Sequence, residues 1–412
     1  MPILPLNPAL IQAVKAARAA MAPERRILFN QAIDTAHHHA AAILAGRPPL
    51  QPSAFPELCL VKSMIGEAPP LNLPAPGIGA TVDKYGVIWG FSQYENYDPG
   101  WANAWIEYEK YENNKAPFAG NAQCITIPNQ VSLGIAGDWG TGYWRGASTP
   151  SAKVAQQMLK LSPDYTIHIG DTYYAGTQDE MTNNLASVWP QGTSGALAIP
   201  GNHEMYCGDW FYYAILPKLC PLQKGASYFA LQNDNWLIVA LDTSYYATNM
   251  YMDGSIMGPG NNDATQAVWL SQILQKANNR RVMIMTHHPP INLSGSQTNA
   301  LYGQVMTFCR MANCKPAVWY FGHEHNAAVY SQYAQMYYPG RLIGHGAIPY
   351  GVASDLTSAT GSSVVWAETQ SANDSDYPER ILNGFAAVNL NGSSLEETFY
   401  SENGDSRWSG SL

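Results

Sequence analysis

Six apolar runs in the chain each stop at a polar cluster. VSLGIAGDWG, YTIHIGD, GALAIPGNHE, VMIMTHHPP and AVWYFGHEHN run into aspartate, asparagine or histidine, and WLIVALDT runs into Asp242. Such runs, without polar alternation, predict strands buried on both faces. Helix-like segments separate them. Residues 151–161 follow a Thr-Pro start, and residues 263–277 bring Trp269, Leu270, Ile273 and Leu274 to one side at helical spacing. The alternation predicts an α/β core in which loops at the carboxyl ends of strands form the ligand crevice. FAAVNLNGSSLEETFY follows, where Asn391-Gly392 signals a two-residue hairpin.

Before residue 129 the pattern differs. Leu10, Val14, Ala17 and Met21 repeat at intervals of four and three, as one helix face does, and Pro23 interrupts them. A second helical stretch runs to Gly46, where Pro48 and Pro49 forbid continuation. The pair is expected to pack on a core or on another subunit. His37, His38 and His39 diverge by about 100° per residue on a helix, so they share no face for a metal. Residues 47–79 are a proline-rich connector. ATVDKYGVIWGF and the alternating AWIEYEKYE predict strands in residues 80–128. The expected division is an N-terminal extension over 1–128 and a catalytic domain over 129–412.

Length alone, 412 residues, allows two or three domains. A net charge of −9, with 22 Lys+Arg, argues against nucleic acid held on a basic face. No run approaches the ~18 apolar residues of a membrane span, so no membrane partner is expected. The first residues lack the basic start of a secretory signal, which predicts a cytoplasmic protein with its six cysteines mostly reduced. Removal of a signal would make it periplasmic or secreted, and Cys207 could then pair with Cys220. The 25 tyrosines and 12 tryptophans suit a core, a substrate groove or an oligomer interface equally.

The strand ends carry Asp138, Asp171, Tyr174, Asn202, His203, His287, His288, His323 and His325. Oxygen and imidazole donors gather there without a cysteine, which excludes a thiolate zinc site and suits zinc, iron or manganese. Seven of these groups (Asp138, Asp171, Tyr174, Asn202, His287, His323 and His325) exceed what one ordinary site uses. A binuclear centre follows, with the central Asp171 as the natural bridge.

GDWG, GDTYY, GNHE, THHP and GHEH, in that order, resemble the five signatures of the calcineurin-like metallophosphoesterases. The tyrosine variant is similar to the purple acid phosphatases. This resemblance spans roughly residues 130–350. It implies a sandwich of two mixed sheets flanked by helices, preceded by the N-terminal helical and β extension. Gly140 stands where most of the family keeps a histidine ligand. Tyr174, three after Asp171, matches the phenolate that binds ferric iron in the purple enzymes. The resemblance therefore implies Fe(III) on Asp138, Asp171, Tyr174 and His325. It implies a divalent zinc, iron or manganese on Asp171, Asn202, His287 and His323. His203 and His288 are the catalytic histidines it suggests.

The implied reaction is hydrolysis of a small-molecule phosphomonoester by metal-bound hydroxide. A phosphodiesterase or nucleotide pyrophosphatase would use the same centre, and a non-catalytic metal-stapled scaffold would have lost ligands. Trp139, Tyr143, Tyr173 and Tyr206 are the expected substrate walls, with the Tyr173 side chain turned to pocket wall or core rather than to metal. The N-terminal helices are the expected route to an oligomer.

Overall fold

The computed structural model describes residues 81–82, 88–89, 107–108, 110–140, 148–248, 251–331, 338–347, 363–374 and 380–412. The helical pair expected before residue 47, the histidine triplet and the proline-rich connector lie outside them. So does the expected oligomer route.

Each of the six apolar runs is a strand: β4 Gln130–Ala136, β5 Tyr165–His168, β6 Gly195–Ala198, β8 Trp236–Leu241, β9 Arg281–Thr286 and β10 Pro316–Phe321. The remaining described strands are β1 Thr81–Val82, β2 Ile88–Trp89, β3 Cys124–Thr126, β7 Phe229–Gln232, β11 Ala327–Tyr330, β12 Gly340–Ile343, β13 Val364–Ala367, β14 Gly384–Asn391, β15 Ser394–Ser401 and β16 Ser406–Ser411. β1 and β2 form a separate antiparallel pair.

Two mixed sheets result. One has eight strands in the order β13-β11-β12-β10-β9-β8-β7-β3, and the other six in the order β16-β15-β14-β4-β5-β6. Within them β8, β9, β10 and β12 run parallel, as do β4, β5 and β6.

Strand periodicity distributes the core. Val131, Leu133 and Ile135 of β4 meet Trp236, Ile238 and Ala240 of β8 between the sheets. The alternate residues Leu237, Val239 and Leu241 face outward onto two helices, Thr265–Gln275 and Ala300–Met311. On the far side, Ala136, Ala196 and Ala198 of the six-stranded sheet pack under helices Pro150–Leu161 and Trp210–Leu219. The order is helix, sheet, sheet, helix, in agreement with the expected sandwich.

Three local expectations change. AWIEYEKYE contains helix rather than strand at Glu107, Tyr108, Lys110 and Tyr111, where Glu112 N donates to Tyr108 O and Lys110 pairs with Glu107 one turn away. The hairpin turn is Gly392-Ser393, one residue later than expected, because Asn391 pairs with Ser394 and Gly392 takes the positive φ of 58°. β3, which precedes residue 129, is the edge strand of the larger sheet, parallel to β7. Cys207 and Cys220 are free thiols buried in separate clusters, so the conditional pairing between them is not formed.

One polar contact crosses the apolar seam between the sheets. Arg341 of β12 makes a two-pronged pair with Glu397 of β15 (Nε–Oε1 2.8 Å, Nη2–Oε1 2.5 Å), and Tyr320 of β10 donates to the same carboxylate at 2.5 Å. All three are buried. Removing one partner strands a charge in the core, which costs about 3–5 kcal/mol. Glu397→Ala should therefore lower the urea midpoint by that amount of stability, whereas substitution of its exposed neighbour Glu396 should leave it in place.

Candidate metal centre

The loops that follow β4, β5, β6, β9 and β10 meet at one edge of the sandwich, so both sheets contribute. Backbone bonds tie loop to loop: Asp138 N donates to Gly170 O, Trp139 N to Asp171 O and Gly322 N to His287 O, each at 2.9 Å. Asp138, Asp171 and His323 have φ of 56°, 71° and 71°. Residues with a Cβ seldom adopt this left-handed region, and they persist there only where the surroundings over-determine them. Two glycines permit the close approach. A Cβ on Gly201 would collide with Asp171 Oδ1, and one on Gly322 would stand 2.7 Å from Asp138 Oδ2.

The donor atoms fall into two groups. Asn202 Oδ1 lies 3.0 Å from His287 Nε2 and 2.9 Å from His323 Nδ1, and the two nitrogens are 3.3 Å apart. Asp171 Oδ1 completes this group, 3.4 Å from His287 Nε2. In the second group the Tyr173 hydroxyl lies 2.5 Å from His325 Nε2, 3.4 Å from Asp138 Oδ1 and 3.1 Å from Asp171 Oδ2. Each oxygen of Asp171 thus faces a different set.

The chemistry of the first group fits a cation. His287 Nδ1 donates to Ile169 O at 3.0 Å, which leaves a lone pair on Nε2. Asn202 Nδ2 is turned to the Tyr206 hydroxyl at 3.3 Å, which leaves the amide oxygen facing that lone pair. Two lone pairs opposed at 3.0 Å repel unless a cation lies between them. Separations of about 3 Å are edges of a shell whose ligands stand about 2.0–2.2 Å from one centre. Burial alone would raise the Asp171 carboxyl, but the His287 and His203 imidazoles outweigh it and hold it well below the usual range.

His288 lies within reach of His287 and His323. Its Nε2, however, meets Tyr251 O at 2.8 Å and must be protonated there, while Nδ1 meets the Thr243 hydroxyl at 2.9 Å. Both nitrogens are engaged, so Asn202 is the better third donor for that group. Burial pushes the His288 imidazole down to about 3, which keeps it neutral. His203 donates from Nδ1 to Tyr174 O at 2.5 Å and turns Nε2 toward Asp171 Oδ2 at 3.9 Å. Its main-chain N–H donates to Asp171 Oδ1 at 3.0 Å.

Among the expected substrate walls, the structure relocates three. Tyr173, expected at the wall or core, is the phenol that faces Asp138, Asp171 and His325. Tyr174, expected as the phenolate ligand, presents its carbonyl to the His203 imidazole and its main-chain N–H to Glu180. Trp139 is buried under the helices, edge-on to Trp189 at 4.7 Å. Tyr206 is fully buried and orients the Asn202 amide. Tyr143 lies outside the described residues.

Glu204 is the residue that the strand-end pattern missed. Its carboxylate accepts from Gly201 N at 2.7 Å, Thr172 N at 2.7 Å and Asp171 N at 3.0 Å, joining the second and third loops. Burial, then the Asp171 charge, pushes this carboxyl up to about 7. Three N–H donors favour the carboxylate, and cations beside Asp171 would remove the second cause. Its place three residues after Gly201, where a capping glutamate reaches back to the start of a helix turn, was the available signal.

Residues 131–327 match the family model of the calcineurin-like phosphoesterases. No protein of curated function matches the sequence. Among solved structures, similar chains include GAP50, the anchor in the inner membrane complex of Plasmodium (13% identity, 69% of this chain and 88% of that one, TM-score 0.47). Others are purple acid phosphatase PPD1 from yellow lupin seeds (12%, 72% and 55%, TM-score 0.47) and PhoD (12%, 72% and 70%, TM-score 0.45). No helix among the described residues is long and apolar enough to cross a membrane. The two mixed sheets with flanking helices are the metallophosphoesterase fold, and the match to the calcineurin-like phosphoesterases covers residues 131–327, just under half of the chain.

Proposed function

We propose that the protein is a binuclear metal-dependent phosphatase acting on phosphomonoesters. The observation that carries this reading is the division of the Asp171 carboxylate: Oδ1 faces His287 Nε2 and accepts from the His203 main-chain N–H, and Oδ2 faces the Tyr173 hydroxyl. One cation would be held by Asp171, Asn202, His287 and His323. The other would be held by Asp138, Asp171, Tyr173 and His325, with Tyr173 taking the role expected of Tyr174. A phenol ionises only at a pKa near ~10 unless a strongly acidic cation binds it, so the tyrosine set favours Fe(III), with a divalent zinc, iron or manganese beside it. Such a pair supplies Lewis acidity toward phosphoryl oxygens and an activated water.

The chain's own residues do the rest. The backbone web of Glu204 fixes the separation of the second and third loops, and Tyr206 keeps the Asn202 oxygen inward. His203 has its Nδ1 proton committed to Tyr174 O, so Nε2 is the nitrogen through which a proton would pass to a departing alkoxide. His288, neutral and doubly bonded, positions the wall beside His323.

Two outcomes are expected. Protein from iron-supplemented cells should hold two metal equivalents and absorb visible light, and Tyr173→Phe should bleach the band while Tyr174→Phe keeps it. Bleaching only by Tyr174→Phe would return the ligand role to Tyr174, and a colourless active enzyme would remove ferric iron. Separately, Glu204→Gln should lower phenyl phosphate turnover about 10- to 100-fold, as loss of a buried orienting partner does in metal sites, with a matching loss of bound metal. Unchanged metal content would show that the three N–H bonds are dispensable.

A further inference from the structure

Helix Ala300–Met311 ends in a turn that brings two cysteines together. Asn313 takes a φ of 50°, Asn313 N donates to Arg310 O at 3.0 Å, and Cys314 N donates to Cys309 O at 2.9 Å. A left-handed residue closed by this pair of bonds is the Schellman ending, in which the side chain three residues before the cap meets the one two residues after it. Apolar residues commonly fill those two positions. Here they are Cys309 and Cys314, both free thiols and hydrogen-bonded to each other.

Burial separates their roles. Cys309 is fully buried in the apolar cluster of Val305 and Trp319, whereas Cys314 is partly exposed at its rim. The Cys309 S–H donates to the Cys314 sulfur, which holds the Cys314 thiol below its ordinary value and raises that of Cys309. The outer sulfur is thus the better thiolate and the one a dissolved reagent can reach. A disulfide needs Cα atoms about 4.4–6.8 Å apart, and the 2.9 Å bond between the two main chains keeps this pair within that reach.

We propose that Cys309 and Cys314 are a dithiol–disulfide site that reacts with low-molecular-weight disulfides, Cys314 as the attacking sulfur and Cys309 as the resolving one. The Cys314 thiolate attacks one sulfur of the reagent, breaks its S–S bond and expels one reagent thiolate, leaving a mixed disulfide. Cys309 then gives up its proton and attacks the Cys314 sulfur, which expels the second reagent thiolate and forms the internal S–S bond. Two protein thiols are oxidised, one reagent disulfide is reduced to two thiols, and the two protein protons end on them. The exchange requires neither metal nor phosphate ester. The opposite end of the helix, at Ala300, Leu301 and Gln304, lines a cleft of about 680 Å³ with His288 and His323 on its inner wall. The link therefore pins the far end of a cleft wall while leaving the candidate metal donors untouched.

The test incubates the full chain with oxidised glutathione, quenches with acid and maps tryptic peptides by mass spectrometry without reduction. Cleavage after Arg310 puts the two cysteines on different peptides. The expected product is those peptides joined through Cys309 and Cys314, with no glutathione on either. Cys309→Ala should trap glutathione on Cys314. At exposed Asn313, Asn313→Gly suits the left-handed position and should close at the parent rate. Asn313→Val does not, and should hold the glutathione adduct about tenfold longer, the scale of the left-handed penalty. If Cys309→Ala fails to fold, the parent map and the two Asn313 variants still decide. A persistent adduct on parent Cys314, its link to any other cysteine, or free thiols at both positions while exposed Cys124 is modified overturns the proposal. Closure of Asn313→Val at the parent rate does so too, because the turn then has no part in bringing the sulfurs together.

Discussion

A carboxylate has two oxygens, and in Asp171 each is claimed by a different set of donors. The site is built around that division. The main chain holds Asp171 in a left-handed conformation and fixes its N–H on Glu204, and the His203 N–H takes Oδ1. The side chain is thereby set between the two groups rather than being free to join one. His287, whose ring is pinned by Ile169 O, and Asn202, whose amide is pinned by Tyr206, present lone pairs to a common point. The Ile169 carbonyl and the Tyr206 hydroxyl are both neutral, so the orientation of these two rests on no neighbouring charge.

The same economy appears in the fold. Continuous apolar strands feed both faces of two sheets, and their buried ends leave only the loops to carry polar chemistry. Where a polar group does lie between the sheets, as with Arg341, Glu397 and Tyr320, it is satisfied by geometry good enough to offset its desolvation. At the edge, His287 and His288 are likewise bonded to named partners. His288 illustrates the point: beside His287, its two ring nitrogens are occupied by a carbonyl and a hydroxyl.

The strands were legible because their apolar runs admit few alternatives once their length and their polar ends are considered. The convergence of Asp138, Asp171, Asn202, His287, His323 and His325 was legible for the same reason, since a strand end fixes where a loop begins. The tyrosine was not. Tyr173 and Tyr174 differ by one position in a loop, where the two-residue alternation of a strand no longer says which side chain points inward. AWIEYEKYE failed differently: its aromatic and acidic residues alternate, but the spacing of Glu107 and Lys110 also suits a helix, and packing against Phe211, Tyr206 and Tyr251 selected the helix. Trp139 looked like a wall residue because it follows a ligand, yet its neighbour's inward turn sends it to the opposite side. The cleft, assembled from segments far apart in sequence, left no local signature.

Because Asp171 and Asn202 sit on one sheet and His287 and His323 on the other, the centre straddles the seam that Arg341 and Glu397 hold from within. Thermal loosening that lets the sheets slip by an ångström would pull these donor groups apart before any helix or strand had melted. Retention of any metal held there would therefore be governed by the stiffness of an apolar joint as much as by the strength of the bonds at its rim.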